Sequence, residues 1–417
     1  MLTDLDRRYD ALLAEVTAPG GRLVIEADEQ GRAIVGNFPD TIPALFRTFA
    51  ELNAEAEAIV CGAERLTFAE LDRISECVAH GLAARGIGRG DRVAIAMRNC
   101  SAWVVSYMAI VKAGAIATLL NGWWEAHEME LALRLSEPKL ILADPPRAKR
   151  IAEKCSDLET LPVAIELPVE QALAELLHDR DENSVLPEVG PGDDATILFT
   201  SGSTGESKGA LSTHRAVTTA TYAYATGLIV LRGILEEDGD PPPTPRTLLS
   251  VPLFHVTGEV PVMINSFVVG RCMVVMPKWD ATEALRLIEQ EKITYFVGVP
   301  TMSLELMNHP DRGKYDLSSL KDITAGGAPR PISHVERLKA EFPNAQPALG
   351  YGLTETNAAG CANYWGNYAA RPASTGRAQK PFIELAILGP GDAHLAAGEV
   401  GEIGIRSAAN IKGYWRN

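Results

Sequence analysis

A chain of 417 residues is long enough for a large core, or for several subdomains that share one. Its 46% hydrophobic and 22% charged residues are ordinary for a globular protein. Its net charge of −15, with no dense run of Lys or Arg, argues against a nucleic-acid partner, because phosphate-backbone binding needs clustered cations.

The charged start, Met1 to Asp10, has no apolar signal segment. Cys61, Cys77, Cys100, Cys155, Cys272 and Cys361 are scattered without a CxxC pair, the pattern expected of reduced, mostly buried thiols in a cytoplasmic protein. Arg92–Met97 reads as a buried strand after the turn Gly88-Arg89-Gly90-Asp91, Ser101–Lys112 as a helix, and Ala115–Leu120 and Lys139–Ala143 as strands. The longest apolar stretch, Trp103 to Leu120, contains Lys112 and Gly114, so it reads as a buried helix running into a strand and not as a transmembrane segment. The pair Trp123-Trp124 is assigned to buried packing. Further strands are expected at Thr196–Thr200, Thr247–Val251, Cys272–Met276 and Tyr295–Val297, and helices at Thr282–Glu291 and Pro331–Glu341. This alternation favours an α/β fold with mostly parallel sheets. Glu236–Pro245 reads as a surface loop, and the glycine-punctuated stretch from Gly391 through Ile405 as a small β-subdomain.

The strongest local signal is Thr200-Ser201-Gly202-Ser203-Thr204-Gly205-Glu206-Ser207-Lys208-Gly209, directly after an apolar strand. Glycines let backbone N–H groups converge on an anion, hydroxyls add donors, and Lys208 adds a point charge. Each charge-assisted bond to phosphate contributes roughly 1.5–3 kcal/mol. It is not a Walker A loop, since no GxxxxGK[ST] is present. Gly205 to Gly209 formally fits GxSxG, the nucleophile elbow of hydrolases. An elbow serine sits immediately after its strand, however, and Ser207 lies well beyond the end near Thr200. A flexible Gly/Ser turn is the remaining alternative.

The loop resembles the phosphate loop of the acyl-adenylate-forming superfamily, which includes acyl-CoA synthetases, 4-coumarate–CoA ligases, firefly luciferase and nonribosomal-peptide adenylation domains. Four further stretches resemble motifs of that group in the same order: Pro252-Leu253-Phe254-His255, Gly326-Gly327-Ala328-Pro329, Tyr351-Gly352-Leu353-Thr354-Glu355, and Gly398–Ile405 with Gly413-Tyr414. Leu66–Leu71 and Gly90–Ala94 resemble its N-terminal half, so the likeness covers about residues 40 to 417. There are two departures. Ser207 stands where the family usually has Pro before the Lys, and Leu349 stands where relatives often carry Asn or Gln.

The resemblance implies a large N-terminal domain. Its expected form is two similar, mostly parallel sheets with flanking helices in αβαβα layers, plus a small distorted β-barrel subdomain. The expected division is 80–220 for the first α/β unit, 36–79 with 221–362 for the second, and 363–417 for the β-part. The activity implied is ATP-dependent activation of a fatty or aromatic acid as acyl-AMP, then thioester formation with CoA. Transfer to a carrier-protein thiol, or ligand binding without turnover, are alternative readings. Cofactors implied are ATP, Mg²⁺ and CoA, and a homodimer is one assembly open to the chain.

The resemblance assigns Thr200, Ser201, Gly202, Ser203, Thr204, Gly205 and Lys208 to the β- and γ-phosphates, Thr354 to the α-phosphate and Glu355 to Mg²⁺. It assigns Gly327, Ala328 and Pro329, with Tyr351 between Gly350 and Gly352, to adenine. His255 is expected between the acid pocket and the thiol tunnel. Val256, Thr257, Gly258, Gly298, Val299, Gly326, Gly350, Leu353 and Ala358 are expected around the acid. Amino-acid-activating relatives carry an Asp near the His motif, but here no acid precedes Glu259, so the substrate is expected to lack an α-amino group. The family's ribose-binding Asp, hinge and C-terminal domain with its catalytic Lys have no counterpart in this sequence up to Asn417, so the chain is expected to be poorly active alone.

Overall fold

The structure, a computed structural model, describes residues 2–181, 184–200, 207–239 and 244–416. Two sheets dominate. The first runs, in spatial order, Gly413–Tyr414, Lys208–Thr213, Asp194–Thr200, Ile116–Leu119, Arg92–Ala96, Leu140–Ala143 and Thr160–Pro162. The second runs Arg377–Ala378, Gly360–Tyr364, Gln346–Gly352, Asp322–Ala325, Tyr295–Gly298, Arg246–Leu249, Cys272–Val275, Glu57–Cys61 and Glu64–Thr67. Their centres are parallel. Both edges of the second sheet and the Gly413–Tyr414 edge of the first are antiparallel, whereas the Thr160–Pro162 edge of the first stays parallel. Strands of this kind are buried on both faces, which is why they appear in the sequence as unbroken apolar runs.

Alternation along the strands sorts their side chains into layers. Val93 and Ile95 of the first sheet and Ile59, Leu249, Met273 and Val297 of the second share one core with the helices between the sheets. The helix Ser101–Lys112 lies in that middle layer and is buried along its whole length. Its one charge, Lys112, is paired with Asp72 at 2.7 Å and Glu76 at 3.1 Å. The neighbouring helix Phe68–Ala84 starts at a capping box in which Thr67 and Glu70 bond each other's backbone N–H. The outer face of the first sheet, with Ala94, Ala96 and Ile141, packs on the helices Ala126–Ser136 and Pro145–Cys155. The outer face of the second, with Val60, Val274, Phe296 and Ile323, packs on Ala281–Gln290, Pro300–Asn308 and Ile332–Glu341. The result is the αβαβα layering.

The segment 363–417 is shared among these bodies. Arg377–Ala378 edges the second sheet, Gly413–Tyr414 edges the first, and Glu384–Leu388 with Glu402–Arg406 forms a two-stranded ribbon. The six cysteines are free, four of them buried. Among the described residues, no helix is long and apolar enough to cross a membrane.

Candidate active site

A cavity of about 630 Å³ opens where strands of the two sheets end. Side chains at such strand ends are where ligands bind in α/β sheets. Thr200 closes one strand and Lys208 opens its antiparallel partner, and the two residues are direct cross-strand neighbours. Both therefore reach the cavity, as does Ser207. Ser201, Gly202, Ser203, Thr204 and Gly205 lie outside the described residues. From the second sheet, Gly326 and Gly327 follow one strand, while Gly350 and Gly352 close the next. Leu353, Thr354, Glu355 and Ala358 belong to the turn after it, and His255, Val256 and Thr257 complete the opposite wall.

The turn after Gly352 is held in a costly shape. Asn357 and Ala358 both have positive φ, 51° and 66°, and such non-glycine residues cost of order 1–3 kcal/mol each unless their surroundings fix them. Here they are fixed. Tyr224 Oη donates to the Ala358 carbonyl at 2.5 Å, Asn357 Nδ2 to the Ala409 carbonyl at 2.8 Å, and Ser212 Oγ to Asn357 Oδ1 at 3.0 Å. The strain places Thr354 and Glu355 at the cavity wall.

Tyr414 spans the two sheets. Its strand pairs with Ala210 and Leu211, and its hydroxyl donates to Glu355 Oε1 at 2.7 Å. That bond favours the protonated phenol and raises its pKa. The ammonium of Lys208 lies 5.1 Å from the centre of the same ring, within cation–π range. Lys208 is the sole Lys or Arg among the described lining residues, against Glu128 and Glu355. Anion binding here therefore falls to Lys208 and to backbone N–H groups.

His255 faces the cavity yet is crowded by protein, and burial pushes its pKa below the usual imidazole value. Its Nδ1 accepts from the Thr257 N–H at 3.2 Å. A neutral ring with Nδ1 accepting carries its hydrogen on Nε2, available as a donor.

Six expected residues stand outside the described lining: Gly258, Gly298, Val299, Ala328, Pro329 and Tyr351. Gly258 is a packing glycine, since a Cβ there would meet the Pro252 carbonyl at 2.2 Å. Gly298 is wedged against Phe296 and Met302. Val299, Ala328 and Pro329 are exposed, and Tyr351 alternates with the two lining glycines. The tryptophan pair also differs from expectation. Trp123 is 67% exposed and meets Phe254 edge-on, whereas Trp124 lines the cavity beside Phe199. Trp124, Phe199, Tyr224, Tyr295, Thr324 and Tyr414 also line the cavity, although the sequence gives them no expected role there. For Thr324, the available signal is its place near the end of a short parallel strand, Asp322–Ala325, that leads into the site.

Glu259 turns away from the cavity and is fully buried. It accepts from Tyr107 Oη at 2.8 Å, and desolvation pushes its pKa up to about 8. The folded chain thus holds this proton after an unfolded Glu, with its ordinary value near 4.5, has released it. Wild-type stability should fall as pH rises from about 4.5 to 8, by roughly 1.4 kcal/mol per pH unit at most. Glu259→Gln removes this titration. Its stability relative to wild type, measured by urea unfolding at pH 5, 6.5 and 8, is expected to grow across that window. A constant difference would mean that Glu259 is ionised in the fold.

Residues 46–415 match the AMP-binding enzyme family. The chain belongs to that family. It is an enzyme of the ligase class to which its named relatives belong. It is 28% identical to the long-chain-fatty-acid–CoA ligase of Bacillus subtilis (strain 168), over 90% of this chain and 70% of that one. It is 30% identical to the feruloyl-CoA synthase of an Amycolatopsis species, over 88% of this chain and 70% of that one. Its fold superposes with a TM-score of 0.79 on the inhibitor-bound N-terminal domain of FACL13 from Mycobacterium tuberculosis, at 28% identity, covering 90% of this chain and 91% of that domain.

Proposed function

We propose that this chain is the ATP- and acid-binding part of an acyl-CoA synthetase that activates a fatty or aromatic carboxylic acid as acyl-AMP. The observation that carries this is the convergence of Lys208, Thr354, Glu355 and His255 on one cavity between the two sheets. A carboxylate oxygen attacks the α-phosphorus of ATP, the bond to the β-phosphate oxygen breaks, and pyrophosphate leaves. The thiol of CoA then attacks the acyl carbon and releases AMP. The first step needs charge neutralisation and in-line positioning more than an acid–base pair.

Lys208, with Thr200 and the adjoining loop, would hold the terminal phosphates, and Thr354 the α-phosphate. Gly326, Gly327, Gly350 and Gly352 leave the wall flat enough for a base and ribose to lie against backbone. His255 Nε2–H is suited to orient the acid's oxygen. Glu355 would hold Mg²⁺, which offsets phosphate charge when bound. The donor set fits. Among the described residues no group of three or more His, Cys, Asp or Glu could hold a metal ion. A single carboxylate suits an ion held mainly by substrate phosphates and water. Glu259 is buried and turned away from the cavity, so no carboxylate from this segment meets an ammonium group there. That supports an acid without an α-amino group.

The test is acid-dependent pyrophosphate release from Mg·ATP over a panel of aliphatic and aromatic acids. Lys208→Ala is expected to lower the rate by about 10²–10³-fold, as for removal of one charge-stabilising donor. Release that ignores both the acid and Lys208 would count against the proposal.

A further inference from the structure

Tyr295 stands on the fifth of nine strands of the second sheet, far from either edge, yet it is only half-buried. Its accessible surface faces cavities. It lines the active-site cavity together with Val297 and Thr324, and it also lines a second cavity of about 570 Å³. The second cavity is lined by apolar residues that include Phe49, Leu228, Leu231, Val268 and Val269, and by charged ones that include Arg232, Arg271 and Asp322. Of the residues that line the two cavities, Tyr295 is the one they share.

The ring is held from the far side. The Arg271 guanidinium lies 4.7 Å from its centroid, a cation–π distance. Arg271 is fully buried and itself fixed: Nε donates to Ser266 Oγ at 3.0 Å, and Nη2 to the Pro261 and Val262 carbonyls at 3.1 Å each. Tyr295 is thus a braced partition and not a loose side chain.

Resting on the acyl-adenylate reading of the site, we infer that Tyr295 is the specificity-determining floor of the acid pocket. It limits the native substrate to compact aryl or short aliphatic acids, and its removal opens the second cavity to a long acyl tail. A tail longer than the pocket has to displace a ring braced by Arg271, whereas a compact acid ends against it. The apolar side chains of the second cavity offer a tail surface to bury against, so that burial would favour the long chain once the ring is gone.

The test uses 5′-O-(N-acylsulfamoyl)adenosines carrying benzoyl, hexanoyl and hexadecanoyl groups, with dissociation constants measured by calorimetry on the 417-residue chain. Wild type is expected to bind the benzoyl and hexanoyl compounds at least tenfold more tightly than the hexadecanoyl one. Tyr295→Ala should shift the hexadecanoyl-to-benzoyl ratio by at least tenfold toward the long chain. Tyr295→Val, which suits a strand, should do the same. Tyr295→Phe should keep the exclusion, and Val268→Trp added to Tyr295→Ala should cancel the gain by filling the second cavity. The inference fails if wild type binds hexadecanoyl as tightly as hexanoyl, or if the ratio is the same with and without the ring. Binding of none of the three compounds by folded wild type overturns the acyl-adenylate reading itself, and this inference with it.

Discussion

Glu355→Ala is expected to lower the efficiency of acid-dependent pyrophosphate release by about 10³-fold, at the upper end of what one lost charge-stabilising group costs. The reason is local. Glu355 and Glu128 are the two Asp or Glu residues in the described lining, and only Glu355 sits between Thr354 and the Lys208–Tyr414 contact. Losing it leaves no carboxylate at that point for the ion that accompanies ATP. The measurement is release at graded Mg²⁺ concentrations. Wild type should saturate, and the variant should stay low across the range. Tyr414→Phe provides the contrast. In the structure the Tyr414 hydroxyl occupies Glu355 Oε1 at 2.7 Å, so removing it frees an oxygen without removing the carboxylate. That variant should need less Mg²⁺ for half-saturation than wild type. If Glu355→Ala retained the wild-type magnesium response, the metal assignment would be lost.

Much of the fold was legible because buried parallel strands announce themselves as short apolar runs. Arg92–Ala96, Leu140–Ala143 and Cys272–Val275 each fall within a residue or so of the run that predicted them, and the helix Ser101–Lys112 starts and ends where it was expected. The turn of Gly352 to Glu355 was legible for another reason: the motif is local, and its neighbours in sequence are its neighbours at the site.

What escaped the sequence reading came to the site from a distance. Tyr414 arrives because its strand pairs with Ala210 and Leu211, about two hundred residues away in the chain. Tyr224 reaches the Ala358 carbonyl from a long helix, His214–Glu237, whose other residues are largely core. Tyr295 looked like any aromatic in a strand, because nothing in its own segment signals a cavity on either side. The tryptophan pair shows the opposite difficulty. Two adjacent aromatics read in sequence as a single core element, but Trp124 faces the active-site cavity while Trp123 is largely exposed. Two large apolar side chains in sequence do not fix which one is buried, since that depends on what packs above each.

Gly352→Ala and Gly350→Ala are expected to fail in different ways, although the two glycines are two residues apart, on the same strand and in the same cavity wall. A Cβ on Gly352 would lie 1.9 Å from the Ala358 carbonyl oxygen, 2.3 Å from its carbon and 3.0 Å from its Cα, all backbone atoms. Those atoms cannot give way easily. The Ala358 carbonyl is bonded by Tyr224, and the turn is pinned at positive φ by the Asn357 bonds. Gly352→Ala should therefore destabilise the chain by about 3 kcal/mol or more, the upper range of overpacking, and displace Thr354 and Glu355 with it. On Gly350 a Cβ meets nothing within 4 Å. Alanine there should leave the unfolding midpoint unchanged or slightly raised, because it also removes the entropy of an unfolded glycine. Its methyl would instead project into space that the nucleotide or the acid needs, so binding should weaken at full stability. Urea unfolding and calorimetric titration with an acylsulfamoyl adenosine on the same two variants separate the outcomes. If both variants lost stability alike, the turn would be less rigid than its hydrogen bonds imply. If both bound ligand as wild type does, the wall formed by these glycines would not be a contact surface for the ligand.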